Sequence, residues 1–344
     1  MTGKKAHLYT YSRKGGRVAG LLFAALFLLI TGPVSGQATD TAYTADYPQD
    51  LRVFGYLGSS YLLLQGGKTS YTPNYPLTPG IGIAIKNTII NIRGGYGIFP
   101  LKNSQDYGRS RTLDLQLHSY WKKLIFDLSF QRYKGFYNGK KEEVITRYPD
   151  MAALQVAAVG TYVFNGKKFS TRAAFEQSEK QLRSAGSFMI GGGLYYYRLG
   201  NLSETFNSPE HSFDIFQVGA HAGYGYSWVM SPHWLLSASG AIGANIGNKP
   251  NQLKELHLKV YPSASGRFAI SYHSDSWALG LSSFVGSKTV TPLQTDLITI
   301  TSITSQLTYV KYLNSPFVRK IVARHKRRKQ VPSGADLPEA YTSR

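Results

Sequence analysis

Serine, histidine and aspartate stand close together at three places in this chain: His118–Ser119, the run His273, Ser274, Asp275 and Ser276, and the group His211, Ser212 and Asp214. A serine hydrolase needs a basic nitrogen within hydrogen-bond reach of the hydroxyl and a carboxylate that orients the base. His118–Ser119 fails on local geometry, because neighbouring residues of a strand point to opposite faces. The run at 273–276 falls at a turn, where orientations are freer, and the group at 211–214 borders a long polar connection. A triad is the weaker reading at 273–276 and polar loop filler the stronger one at 211–214, so no catalytic residue is assigned. The eight histidines show no His-x-His or His-x-x-x-His spacing and no carboxylate cluster beside them, so the sequence predicts no metal site and no cofactor. The glycine-rich pieces 191–197 (GGGLYYY) and 240–247 (GAIGANIG) lack the strand-to-helix setting of a nucleotide loop and are read as bends in strands.

The most informative polar residues alternate with apolar ones. In TLDLQLHSYWKKLIFDLSFQRYKGFY, residues 112–137, Asp114, Gln116 and His118 share one face and Leu113, Leu115 and Leu117 the other. After Trp121-Lys122-Lys123 the pattern returns, with Asp127, Ser129, Gln131 and Tyr133 opposed to Phe126, Leu128 and Phe130. An ionised aspartate near a bilayer midplane costs roughly 2.5–3.5 kcal/mol on insertion scales. The expected arrangement is therefore a hairpin whose polar face, Asp114, Gln116, His118, Asp127, Gln131 and Tyr133, lines an enclosed lumen while the leucines and phenylalanines face lipid. These residues, with Lys134 and Tyr137, form either a solute path and rim or a side-chain plug, and the narrow lumen of a twelve-stranded barrel favours the plug.

The elements that must position them are strands throughout. Candidate strands fall at 51–64, 80–86, 89–99, 110–120, 124–135, 151–164, 186–198, 213–229, 233–246, 256–272, 277–287 and 297–313. Short connections (86–88, 121–123, 165–167, 230–233, 273–276) alternate with long ones (65–79, 100–109, 136–150, 199–212, 247–255, 288–296). That sorting is expected of a transmembrane barrel with short periplasmic turns and long external loops. Trp121, Trp228, Trp234 and Trp277 all lie beside short connections, as an interfacial aromatic girdle at the periplasmic end would require. Residues 169–187 would add a thirteenth strand, break the alternation and violate even strand number. They are read as a lumenal, periplasmic or bulged excursion.

The first 36 residues read as a secretory signal peptide: Lys4, Lys5, Arg13, Lys14 and Arg17 precede the apolar run Val18–Ile30, and small residues follow to Gly36. No later segment is long and apolar enough for a transmembrane helix. With no cysteine in the chain, disulfides and thiolate metal sites are excluded. The net charge of +20 is concentrated at the ends, with five basic residues in the signal and eight from Arg319 onward against two acids, leaving about +9 over 37–318. That scattered remainder and the exported compartment argue against nucleic acid as a partner. The run RKIVARHKRRKQ at 319–330 suits anionic headgroups or another acidic envelope component, or a solvated tail.

Three stretches carry a family resemblance: YTPNYPLTPGIGIAIKN (71–87), LDLQLHSYWKKLIFDLSFQRYKGFYN (113–138) and EQSEKQLRSAGSFMIGGGLYYY (176–197). Together they resemble the Bacteroidota outer-membrane proteins grouped as domain of unknown function 4421, most recognisably in the Lys-Gly-Phe-Tyr and Ser-Ala-Gly-Ser elements. The resemblance covers about 50–313 and implies an outer-membrane β-barrel without assigning any chemistry.

The expected organisation is thus a signal peptide (1–36), an N-terminal periplasmic segment (37–50), an all-β, antiparallel transmembrane barrel of about twelve strands (51–313) and a basic periplasmic tail (314–344), in the bacterial outer membrane. The expected function is a non-enzymatic envelope protein, either a narrow channel for small solutes or a structural barrel, with membrane lipid as its surroundings. A lipid-modifying hydrolase acting at the rim is the alternative, and a soluble β-sandwich the structural one.

Overall fold

The computed structural model of the chain describes residues 40–320, apart from 67–68, 76, 86, 96–98, 101, 140–143, 202–211, 250–257 and 294–295. The expected signal peptide, His211 and the basic run beyond residue 320 lie outside the described residues. In chain order the elements begin with β1 (Thr44–Ala45), β2 (Leu51–Gly66), β3 (Thr69–Tyr71), β4 (Leu77–Ile85) and β5 (Thr88–Gly95). Then come α1 (Ser104–Tyr107), β6 (Arg111–Tyr120), β7 (Leu124–Asn138), β8 (Thr146–Val163), α2 (Thr171–Glu176) and β9 (Lys180–Gln181). The last are β10 (Ala185–Gly200), β11 (Ser212–Val229), β12 (Trp234–Asn248), β13 (Lys259–His273), β14 (Trp277–Leu293) and β15 (Asp296–Leu313).

Each long strand pairs antiparallel with the next, and β15 returns to β2, from Leu313 opposite Leu51 to Ile298 opposite Gly66. Twelve strands therefore close into a ring without edges. Closure satisfies every ladder partner, which an open sheet of this length would leave unpaired. Inner positions are buried towards the two ends and half-buried around the middle, whereas large apolar residues on the outer wall stay uncovered, Ile242 at 74% and Ile81 at 69% exposure among them. The polar and buried face is inside.

Two expected connections are corrected. The stretch 288–296 is not a long loop, because β14 runs on through Thr289, Val290 and Thr291 to Leu293 and β15 begins at Asp296. Its β-branched residues carry the ladder onward past the point where the apolar alternation fades. Nor is 165–167 a simple turn: it opens an insert, 164–184, that holds α2 and β9 between β8 and β10. Of the three readings of 169–187, the lumenal one holds, since Phe169, Ser170, Arg172–Glu179 and Gln181 are all buried.

The Lys-Gly-Phe-Tyr element is a bulge in β7. Pairing with β8 shifts register between Lys134 and Phe136, and Gly135 has φ 86°. A Cβ there would also meet the Arg109 carbonyl oxygen at 2.5 Å, so glycine is required twice over. The bulge buries Phe136 and Tyr137 together. Phe136 joins the lumenal cluster, and Tyr137 bridges to Thr72 and takes a hydrogen bond from Lys102 Nζ at 2.8 Å.

The lumen is layered. At the end with the short turns, Phe54, Tyr120, Ile125, Phe169, Phe175 and Tyr312 form one apolar cluster. At the other end Leu62, Leu64, Met151, Tyr197, Leu199 and Ile215 form a second, all at 2% exposure or less. Polar side chains occupy the middle. The expectation of a polar interior is thus corrected to a polar belt between two apolar layers. Inward leucines such as Leu62 and Leu64 belong to the run YLLLQ, where the period of two is lost.

Candidate functional site

The floor of the belt is the insert. Ser170 caps α2, its hydroxyl accepting from Ala173 N at 3.1 Å, and Gln177 ends it in the left-handed conformation at φ 46°. Arg172 donates from Nη1 to Asn87 Oδ1 (2.8 Å) and from Nη2 to Asp46 Oδ1 (2.8 Å) and the Ser178 carbonyl (3.0 Å). The Glu179 carboxylate, 3% exposed, accepts from both Lys122 Nζ and Ser170 Oγ. Glu176 accepts from Tyr120 OH at 3.1 Å, tying the helix to β6. The N-terminal segment closes the same end: β1 pairs with β9, and Tyr47 stacks on Tyr312 with ring centroids 3.8 Å apart. Burial pushes the Tyr47 hydroxyl pKa up to about 12.

Above this floor runs a chain of hydrogen bonds across four strands. Arg93 of β5 pairs with Asp114 of β6 and reaches Gln306 of β15. Gln116 Nε2 donates to both Asp114 oxygens at 3.1 Å, which turns its Oε1 towards His118 Nε2, also at 3.1 Å. His118 Nδ1 meets Asp127 Oδ1 at 2.6 Å. Asp114, Gln116, His118, Asp127 and Gln131 are therefore one inward-facing group, with Gln131 opposite Asp114. Tyr133 differs: 3% exposed, it belongs to the upper apolar cluster, since it lies one inward step beyond Gln131. Both ring nitrogens of His118 face oxygen acceptors, so the position a nucleophile would need is filled by an amide oxygen. The belt is a structural network rather than a dyad with a free base.

The grouping at 273–276 also comes apart, and of the group at 211–214 only Ser212 and Asp214 are described. His273 Nδ1 meets Tyr47 OH and Nε2 meets Ser271 Oγ, both at 2.8 Å, while Asp275 turns outward to Lys180 at 2.7 Å. The Lys180 ammonium holds the exposed Asp275 carboxyl below the usual carboxylate range. Asp214 accepts from Tyr196 OH at 2.7 Å. The tryptophans sit at the short-turn end. Trp234, Tyr272, Trp277 and Tyr309 form a continuous outer row with centroids 5.3, 5.4 and 6.2 Å apart, and Trp228 packs on Tyr226. Trp121 lies in the turn between β6 and β7.

Between the insert and the upper cluster is a cavity of about 400 Å³. Its lining brings in residues that the sequence did not single out: Glu176, His221, Arg267 and Lys288. Arg267 lies between the rings of Phe175 (5.4 Å) and Phe284 (5.7 Å), within electrostatic reach of Glu176 and Asp127. Lys288 Nζ lies 3.6 Å from the Tyr195 ring centroid and forms no ion pair among the described residues. Desolvating an ammonium costs several kcal/mol, of which a ring face returns about 2. The four are scattered over α2, β11, β13 and β14, so only the sheet register unites them. The one local signal is the inward row Ser263, Ser265, Arg267, where a lone cation follows small residues.

The chain is similar to the translocator domain of the autotransporter NalP from Neisseria meningitidis, at 12% identity over 88% of this chain and 99% of that one, TM-score 0.41. It is similar to the β domain of the Bordetella autotransporter BrkA (10% identity, 77% and 100% covered, TM-score 0.36). An outer membrane channel from Pseudomonas putida F1 matches at 9% identity, 80% and 99% covered, TM-score 0.33. No curated protein matches the sequence. The profile of a family described as "Domain of unknown function (DUF4421)" matches residues 38–312.

Proposed function

We propose, from the premise that the chain belongs to the DUF4421 family and that this description carries no activity, that the protein is a non-enzymatic outer-membrane barrel with an occluded lumen. The observation that carries this reading is the insert 164–184, buried within the barrel and fastened by Glu179, Arg172 and Tyr120 beneath a second, apolar closure at the opposite end. A solute path through the belt would require both layers to move. The uncovered apolar outer wall supports a lipid surround, because scattered polar neighbours could not solvate so many large side chains at once. The aromatic row at the short-turn end supports an interfacial position for that end. The export reading of 1–36 supports the outer membrane as the compartment.

The hydrolase alternative gains nothing from His118, His273 or Asp214, which are engaged with Gln116, Tyr47 and Tyr196. For the tail, the described part contributes an exposed contact of Arg319 with Asp50 at 3.3 Å, and a role in binding acidic envelope components is a separate proposal on charge alone. The test is electrical. Purified full-length protein in planar bilayers is expected to show no discrete conductance, with membrane insertion checked by heat-modifiable gel mobility. Stable ohmic steps at low voltage would overturn the occluded reading.

A further inference from the structure

Among the described residues, Lys288 is a cation lining the lumenal cavity with no ion pair. Lys288 of β14 enters it over the Tyr195 ring with no carboxylate paired to it among the described residues. The belt's other charges have opposite partners nearby: Arg93 has Asp114, His118 has Asp127, and Arg267 has Glu176 and Asp127 within reach. Lys288 is half-buried, and a cation drawn that far out of water is tolerated best where something supplies the missing negative charge.

The sheet register shows what surrounds it. Lys288 stands opposite Ser263, Ser263 opposite Gly243, and Gly243 opposite His221, so one row of the wall presents an ammonium, a hydroxyl, a gap and an imidazole. The gap is needed, since a Cβ at Gly243 would come to 3.0 Å from Ser263 Oγ and to 2.5 Å from the Ala220 carbonyl oxygen. The amide nitrogen of Gln155, also among the lining residues, has no hydrogen-bond partner among the described residues. A volume of about 400 Å³ suits a small organic molecule.

We propose that the cavity binds a small organic anion, whose carboxylate or phosphate oxygens sit on Lys288 with Ser263 and His221 beside them. This rests on the occluded-barrel reading, in that closed ends make the site a compartment and let the anion exchange only when the insert moves. The full-length protein is refolded from urea into detergent in the presence of either inorganic phosphate or octanoate, desalted, and examined by native mass spectrometry. Wild type retains one anion. Lys288→Met and Lys288→Gln, with folding confirmed by heat-modifiable mobility, retain it roughly tenfold less or worse, as loss of a charge-assisted contact implies. Lys288→Arg and the surface control Lys259→Met retain it as wild type does. Retention of phosphate alone assigns a phosphate-bearing ligand, and of octanoate alone a fatty carboxylate. Retention of neither by wild type, or equal retention by a folded neutral variant, overturns the proposal. Conductance by wild type would instead overturn the occluded barrel and leave the retention result to stand by itself.

Discussion

Replacing Glu179 with alanine removes the acceptor on which the lumenal insert depends. Its carboxylate accepts from Lys122 Nζ and Ser170 Oγ, and the two side chains of the ion pair are 17% and 3% exposed. Breaking a buried pair by deleting one partner costs about 3–5 kcal/mol. Lys122 sits in the turn between β6 and β7 and can recover some water, which places the expected loss at the lower bound, about 3 kcal/mol. At 1.4 kcal/mol per decade, that raises the undocked population of the insert roughly a hundredfold. The ring itself should persist, because no strand of the twelve uses Glu179 for pairing. Hydrogen exchange of the α2 and β9 amides should therefore accelerate by about that factor while β10–β13 stay protected. Planar-bilayer conductance should stay absent, because the apolar layer of Leu62, Leu64 and Tyr197 still closes the opposite end. Exchange in α2 within about threefold of wild type would refute the assignment of the insert as a plug held by this pair, since it corresponds to under 1 kcal/mol.

Other perturbations test the remaining layers. Arg93→Ala strands Asp114 in the belt and should destabilise the barrel by about 3–5 kcal/mol in urea unfolding, whereas Arg93→Met with Asp114→Leu should recover most of it; equal losses in single and double variants would argue against a coupled pair. Gly135→Ala places a Cβ at a left-handed position against the Arg109 carbonyl and should cost about 1–3 kcal/mol, read as a lower unfolding midpoint with unchanged slope. Tyr47 carries a hydroxyl pKa raised to about 12 from 10.0, so its contribution is complete below pH 10 and is lost as pH climbs through about 12. That stability loss amounts to about 2–3 kcal/mol. Tyr47→Phe should abolish that alkaline step in a thermal-shift profile, and an unchanged step would refute it.

How far the sequence discloses this molecule depends on whether the signal is local. The hairpin of β6 and β7 is legible because a period of two survives through Asp114, Gln116 and His118 and again through Asp127, Ser129 and Gln131. The strand count is legible from turn chemistry. The upper apolar layer is not, because Leu62 and Leu64 sit in a continuous apolar run whose two faces look alike. The same holds for the true end of β14, where alternation fades before pairing does. His221, Arg267 and Lys288 carry no local pattern at all. Their meeting is a property of register across β11 to β14, and Glu176 reaches them only because an insert that breaks the loop alternation folds inward.

The short-turn end of the barrel joins the segment before β2 to the segment after β15 at one spot. Tyr47 rests on Tyr312 of the last strand, Tyr312 OH donates to the Gln177 carbonyl at 2.7 Å, and Ser315 N donates to Asp50 Oδ1 across 265 residues of sequence. None of these contacts can form until β15 has come home to β2. The Gln177 carbonyl at the end of α2 is therefore latched only once the seam is closed, whereas Glu179, Arg172 and Glu176 already hold the insert to Lys122, Asn87 and Tyr120. Seam closure thus adds the last latch to a plug that earlier strands can dock, so removing the Tyr312 hydroxyl should loosen the end of α2 without releasing its start.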